Sequence, residues 1–423
     1  MVASGSHAPM VLHCDNVWID PPGRFEPRSV ELVGGRIELV RDRMTALAAG
    51  TRQPDIDLGN AYMMPGLINT HVHLEFSASP DPLREFRREP ASDRFARAVR
   101  NARSMLLSGV TTLRDCGSSV QLLTGFRRCR DLPALPRLLL SGPPITVPGG
   151  HLSIFGGIVS GPDEIPATVS RSISAGARSI KLIGSGGGMT PGSFPEKVAF
   201  SQEVFCRVAA EARSHEVASA AHVLAAESVK RAAIARFDSL EHCAFFRRSG
   251  CGRLVRHYDA GVAAIIADSG VAVMPNLSTA TRAHGTLLRE GMQGNPEAQH
   301  ALDQHEVMLE NFRKLVDLGV TMICGTDAGV RDTPFGDTWI ELELMARSGM
   351  SNIDVVRSAS LNAARALKLE GTVGRIAAGH SADFVVLKNS PLADISTYRD
   401  PLSVYSDGRR IAPSLANERN GHC

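Results

Sequence analysis

Residues 64–74 read Met64-Pro65-Gly66-Leu67-Ile68-Asn69-Thr70-His71-Val72-His73-Leu74. The run before the histidines is mostly apolar and ends in two imidazoles spaced i, i+2. In a strand that spacing puts both rings on one face. Two neutral imidazoles on one rigid face are half of a tetrahedral or five-coordinate metal site. A His-x-His pair alone is a weak signal. It gains weight because Lys181, His222, His242 and Asp327 follow, each at the end of a strand-like segment.

Outward from this stretch, from about Pro65 to Leu369, short β-rich runs alternate with amphipathic runs, which argues a parallel α/β arrangement. Eight strands are predicted. They end near His73 and near Thr112-Leu113-Arg114, then at Arg137–Leu140, Ser179–Ile183, Ala218–His222, Ser239–His242, Val271–Met274 and Thr321–Cys324. Between them, Ser92 reads as an N-cap before the stripe Phe95, Ala98, Val99, Ala102, Met105, Leu106, which ends at Gly109. Ser201 repeats the device before Val204, Phe205, Val208, Ala209 and Ala212. Eight such units predict a TIM (β/α)8 barrel over residues 63–370.

The flanks read differently. Residues 10–62 and 371–423 are strands and turns, with Gly34-Gly35 between two β-rich runs, a strand at Asp383–Leu387 and a hairpin signal at Asp407-Gly408. Neither flank has apolar residues enough for its own core, so the two are predicted to pair into one small β-sandwich outside the barrel. Residues 1–9 are small and polar, disordered or tag-like, and lack the apolar stretch of a secretory signal.

The net charge of +2 over 423 residues implies no strong field for nucleic acid or a membrane surface. No apolar run approaches the roughly 20 residues of a membrane span. The expected partner is a small-molecule substrate, with no nucleic acid and no membrane. Eight scattered cysteines, with no Cys-x-x-Cys pair, read as reduced, buried thiols of a cytoplasmic protein. There is no Gly-x-Ser-x-Gly segment to signal a serine nucleophile.

Barrel active sites lie at the carboxyl ends of the strands, and the candidate ligands all fall there. Singly, each has an ordinary reading: His222 or His242 as a satisfied buried histidine, Lys181 as a barrel lysine paired with a carboxylate, Asp327 as a turn residue. Jointly they converge on one mouth. Together with Gly109–Asp115, Ile180–Gly187, Asp238–His242, Gly325–Gly329 and Gly374–Asp383, the opening stretch makes the chain resemble the metal-dependent amidohydrolase superfamily over residues ~10 to ~410. Within it the chain is most similar to the prolidase-like, imidazolonepropionase-related group, which includes Xaa-Pro dipeptidases, carboxypeptidases and ochratoxin-cleaving amidases.

The resemblance implies a binuclear site. Lys181 stands where binuclear members carry a carboxylated lysine, whose anionic carbamate offers one oxygen per metal. His71, His73 and Asp327 would hold one divalent ion and His222 and His242 the other, with Lys181 bridging. Zinc is the default for this donor set, with manganese or cobalt as alternatives. Deaminases of the superfamily usually bind one metal and carry His-x-x-Glu after strand 5; here the run is His222-Val223-Leu224-Ala225. The implied reaction is attack of a metal-bridging hydroxide on an amide carbonyl, with Asp327 as proton carrier. A dipeptide or N-acyl amino acid is the leading substrate class. A carbamate, urea, lactam or ester is the alternative, and a non-catalytic scaffold would have lost ligands that are all present. His151, in Pro148-Gly149-Gly150-His151, reads as a substrate-side hydrogen-bond donor or as a loop histidine bonding backbone. Arg282 and His284, after strand 7, read as carboxylate-binding groups or as solvated loop residues. Arg114-Asp115 reads as support for the ligands or as a barrel ion pair. The superfamily is often oligomeric, so a homo-oligomer is compatible with the resemblance.

Overall fold

The computed structural model describes residues 9–43, 55–129, 131–289 and 295–411. Most of the tag-like stretch (1–8) and the end of the second flank (412–423) lie outside the described residues. The two flanks meet in a sheet. The first supplies β1 (Met10–Ile19), β2 (Arg24–Val33), β3 (Arg36–Asp42), β4 (Ile56–Asp57) and β5 (Tyr62–Pro65). The second supplies β15 (Phe384–Leu387), β16 (Ser403–Ser406) and β17 (Arg409–Arg410). Their order is β17-β16-β15-β5-β1-β2-β3, with β4 on β1. The flanks join edge to edge, β5 pairing antiparallel with β15, Met64 opposite Val385, and the far edge turns back to meet the chain entering β15, where Arg36 bridges to Ser381 and Ile37 N donates to His380 O. The sheet has its own apolar cluster, including Leu12, Val30, Ile37, Met63, Phe384 and Tyr405. Its Asp407-Gly408 turn has φ of 47° and 74°, the left-handed pair that a two-residue hairpin of type I′ needs.

The chain then passes from β5 into β6 (Leu67–Val72), which forms a parallel sheet with β7 (Val110–Asp115) and β8 (Arg137–Leu140). A second parallel sheet has the order β14-β11-β10-β9, where β9 is Ser179–Ile183, β10 Ala218–His222, β11 Ser239–Glu241 and β14 Ala272–Met274. Every residue of β6, β7, β9, β10, β11 and β14 is buried, as parallel strands covered on both faces are. The eighth predicted strand forms no ladder. Within Thr321–Cys324 only Met322 bridges to Val273. Its backbone is shared among neighbours instead: Val273 N donates to Thr321 O and Thr70 N to Cys324 O, both at 2.9 Å, while Cys324 N turns to Ser358 O.

The helix at Ala91–Leu107 buries Ala98, Ala102, Met105 and Leu106, but its N-cap is Pro90, not Ser92. Proline fixes the extended entry and has no N–H to satisfy, so Ser92 falls inside the first turn. The Gln202–Ser214 helix starts after Ser201 as expected. A hairpin of β12 (Phe246–Arg248) and β13 (Leu254–Arg256) follows β11 and has no counterpart in the predicted elements. Of the described cysteines, Cys14, Cys116, Cys243 and Cys324 are buried, while Cys129, Cys206 and Cys251 are exposed and so depart from the expected burial. Among the described residues no helix is long and apolar enough to cross a membrane.

Candidate metal centre

The i, i+2 pair does what strand geometry requires. His71 lies in β6 and His73 just past it, and both rings point the same way, their Nε2 atoms 3.4 Å apart. Asp327 Oδ1 lies 3.3 Å from His71 Nε2 and 3.2 Å from His73 Nε2. A tetrahedral zinc with bonds of ~2.0–2.1 Å has ligand atoms roughly 3.3 Å apart, so these three atoms are spaced as three corners of such a site. The far nitrogens are already committed. His71 Nδ1 is 2.7 Å from Glu241 Oε2, and His73 Nδ1 is 3.2 Å from the Gly117 carbonyl. Those acceptors place each proton on Nδ1 and leave the Nε2 lone pair free for a metal.

Asp327 reaches this position through close backbone contact. A Cβ on Gly325 would lie 2.7 Å from Met274 Cγ and 2.9 Å from His71 Cβ, so only glycine lets the loop pass. Asp327 N then donates to His71 O at 2.8 Å. Asp327 sits at φ 57°, and His242 and Asn276 share the left-handed region at 71° and 57°. Non-glycine residues held there are uncommon and gather at functional sites. Burial alone would raise the Asp327 pKa, but the His71, His73 and His242 imidazoles override it and hold the carboxyl well below its ordinary range.

The other candidates surround this trio. His71, His73, His151, Lys181, His222, His242 and Asp327 all line one cavity of about 430 Å³. The rings form a row: His71 to His242 at 5.2 Å between centroids, His242 to His222 at 4.8 Å, His222 to His151 at 4.8 Å. His222 Nε2 donates to Gly186 O at 3.1 Å, which frees Nδ1. Burial pushes the imidazole pKa down, to about 4 for His71 and about 3 for His242 and His151. The neutral ring is the form that ligates. Lys181 is 2 % exposed and its Nζ has no hydrogen-bond partner. The ordinary reading of a lysine paired with a carboxylate therefore fails here. His151 Nδ1 is 3.1 Å from Thr190 Oγ1, and a Cβ on Gly187 would fall 2.7 Å from its ring, so the glycine-rich run makes room for this histidine.

Two predicted residues do not join them. Arg282 and His284 do not line the cavity. The chain after β14 is the helix Leu277–Arg289, not a loop. Its geometry turns Arg282 to Asp337 Oδ2 at 2.7 Å and stacks His284 on His305 at 4.5 Å. Two residues that carry weight, Glu241 and Asn276, were not singled out in the sequence, and Arg114 was given a different partner. Arg114, wholly buried, donates to Glu241 Oε1 at 2.7 Å, so Arg114 pairs with Glu241, and Asp115 instead accepts from the Leu74 and Gly117 amides. Glu241 thereby ties Arg114 to His71. Asn276 Nδ2 donates to Asp327 Oδ2 at 3.2 Å and lies 3.3 Å from His242 Nδ1. The only signal for Glu241 was a charged residue within an apolar strand. A second ligand-type group, His71, Cys116 and Glu241, is poorly suited to a metal: burial raises the Cys116 thiol to about 11, and Glu241 is already engaged.

Comparison with known proteins places this geometry. Residues 62–411 match the Amidohydrolase family. Ochratoxinase of Aspergillus niger is 26% identical over 385 residues, covering 81% of this chain and 73% of its own. Adenine deaminase of Bradyrhizobium sp. (strain BTAi1 / ATCC BAA-1182) is 25% identical over 434 residues, 98% of this chain and 60% of its own. The crystal structure of a Xaa-Pro dipeptidase with bound methionine in the active site superposes with a TM-score of 0.79 at 24% identity, covering 95% of this chain and 99% of that one.

Proposed function

The chain belongs to the amidohydrolase family, and from that premise we propose that it is a binuclear metal-dependent hydrolase of amide or peptide-type C–N bonds, acting on a dipeptide or N-acyl amino acid. The observation that carries this is Lys181: a buried Nζ with no partner, in one cavity with four ring ligands and Asp327. An ammonium there would face two cations unscreened. Addition of CO2 to the neutral amine, with release of a proton, converts it to an anionic carbamate with two oxygens. We assign His71, His73 and Asp327 to one ion and His222 and His242 to the other, with the Lys181 carbamate between them. We also read the two parallel sheets as one closed (β/α)8 barrel, its seams at Ile145–Leu182 and Met322–Val273.

When bound, the ions supply hydroxide at neutral pH and polarise the substrate carbonyl. The protein's own groups do the rest. Asp327, held by Asn276, takes the proton of the attacking water and returns it to the leaving nitrogen. His151 faces the cavity and offers a hydrogen bond to the substrate. The Arg114–Glu241 pair holds His71 in its ligating tautomer. Zinc suits the nitrogen and oxygen donors, as manganese or cobalt also would. A mononuclear deaminase is the weaker reading, because no Glu follows His222 within three residues.

The test is amine release from a panel of dipeptides and N-acyl amino acids, with zinc-replete protein from cells grown with bicarbonate. Cleavage of several members with a preference at the C-terminal residue supports the reading. No cleavage of any member, beside turnover of carbamates, ureas, lactams or esters, moves the substrate to those classes.

A further inference from the structure

Two arginines that brace this fold have close carboxylate partners, whereas one that faces the cavity has none among the described residues. Arg114 has Glu241, and Arg357 has Asp20, with Nε and Nη2 donating to both oxygens. Arg256 lines the same cavity as His242 and Asp327. Yet among the described residues no carboxylate pairs with it, and its Nε is buried without a partner. The guanidinium lies over the Phe246 ring, 4.5 Å from the centroid, with Phe246 directly opposite on β12. Its main-chain N is tied to Gln304 Oε1 at 2.5 Å, so the hairpin strand that carries it is anchored. Arg256 also shares with His242, Ala244, Pro275 and Met308 the small void behind the main cavity, which puts it on the His242 side of the site.

A cation withdrawn from water without a counter-charge is costly. Stacking on one aromatic face offsets only part of that cost. What remains is a planar fork of donors on an apolar wall, the geometry that takes a carboxylate through two parallel hydrogen bonds. We propose that Arg256 is the specificity-determining residue that binds the carboxylate of the substrate, the role the sequence had pointed to for Arg282. The ligand class is an amide with an anionic carboxylate and an apolar body, which Phe246, Leu224 and Met308 would flank. This rests on the amide-hydrolase reading above.

The experiment compares benzoate release from N-benzoyl-L-leucine and N-benzoyl-L-leucinamide by the zinc-loaded wild type, Arg256→Met and Arg256→Lys. The readout is the ratio of kcat/KM for acid over amide. A charge-assisted bidentate contact predicts that Arg256→Met lowers this ratio about 10- to 100-fold, mainly through KM of the acid. Arg256→Lys, which keeps the charge without the fork, should lose part of it. In parallel, binding of 5-phenylpentanoate and 5-phenylpentanamide to the same proteins is measured by calorimetry, and the acid-over-amide affinity ratio should fall with the same ranking. No carboxylate preference in the wild type overturns the proposal. So does a ratio within about twofold of wild type in whichever variant folds, which would leave Arg256 as a stacking partner of Phe246. If the wild type releases no benzoate, N-benzoyl-L-leucine is not its substrate, the panel above decides the amide-hydrolase reading, and the binding ratios alone decide the role of Arg256.

Discussion

Replacing Glu241 with Gln separates the two tasks that one buried carboxylate performs. Oε1 accepts from Arg114 Nη2 at 2.7 Å and from Ser239 Oγ at 2.5 Å. Oε2 faces His71 Nδ1 at 2.7 Å. A glutamine offers one acceptor oxygen and one NH2. If the oxygen stays with Arg114 and Ser239, the NH2 must donate to His71 Nδ1. The imidazole proton then moves to Nε2 and removes the lone pair that would bind metal. Loss of such a supporting contact costs about 10- to 100-fold in metal affinity. The opposite orientation sets NH2 against two donors and is worse. Either way Arg114 is left buried without its counter-charge, and breaking a buried pair costs about 3–5 kcal/mol. The assays are urea unfolding of metal-free protein and competitive zinc titration. Arg114→Met combined with Glu241→Gln should recover much of the stability, because no unpaired charge remains, while zinc affinity stays low. Wild-type zinc affinity in Glu241→Gln would refute the tautomer argument, and recovery of affinity in the double variant would show that Arg114, not His71, is the relevant partner.

Three other outcomes follow from the same geometry. Lys181→Ala should lose most bound metal and activity, and short carboxylates such as acetate or propionate should restore part of both; near-normal activity without them would sink the bridging carbamate. Asp327→Asn should fold with a thermal midpoint near wild type while kcat falls by ~100-fold or more, the usual scale of a lost acid–base group; retained turnover would remove Asp327 as proton carrier. Glu341 gives a pH test away from the ligands. Burial raises its pKa from 4.5 to about 7, against the opposing Leu277 and Ser278 N–H bonds. A carboxyl raised in the native state contributes stability below its unfolded pKa and loses it as pH rises through the folded value. Wild-type stability should therefore fall relative to Glu341→Gln between about pH 5 and pH 8; a pH-independent difference would mean that the carboxyl is ionised throughout.

The parallel strands and the metal-type side chains were legible for a local reason. Strand ends carry their chemistry in sequence, so His71-Val72-His73 and the histidine closing β10 mark both the element and the face. His242 and Asp327 were legible as candidate ligands, but not their left-handed backbone, which depends on loops packing against His71 and Met274. Glu241 and Asn276 were missed because their partners are 170 and 51 residues distant in sequence, and no local pattern records such pairing. Arg282 was misread because a helix, not a loop, follows β14 and turns that side chain towards Asp337. The joining of the two flanks depends on a β5–β15 pairing that no single segment specifies. Arg256 lay in a short hairpin whose strands are too brief to give a period-2 signal.

The most direct test of the central claim is metal and carbamate stoichiometry on one sample. Protein is purified from cells supplied with ¹³C-bicarbonate, its metal content is measured by elemental analysis, and a lysine carbamate signal is sought by ¹³C NMR in wild type and Lys181→Ala. The account predicts about two zinc-type ions per chain and one carbamate resonance that disappears in Lys181→Ala. A single tightly bound ion with no carbamate resonance, in a protein that hydrolyses its substrate at full rate, would contradict it.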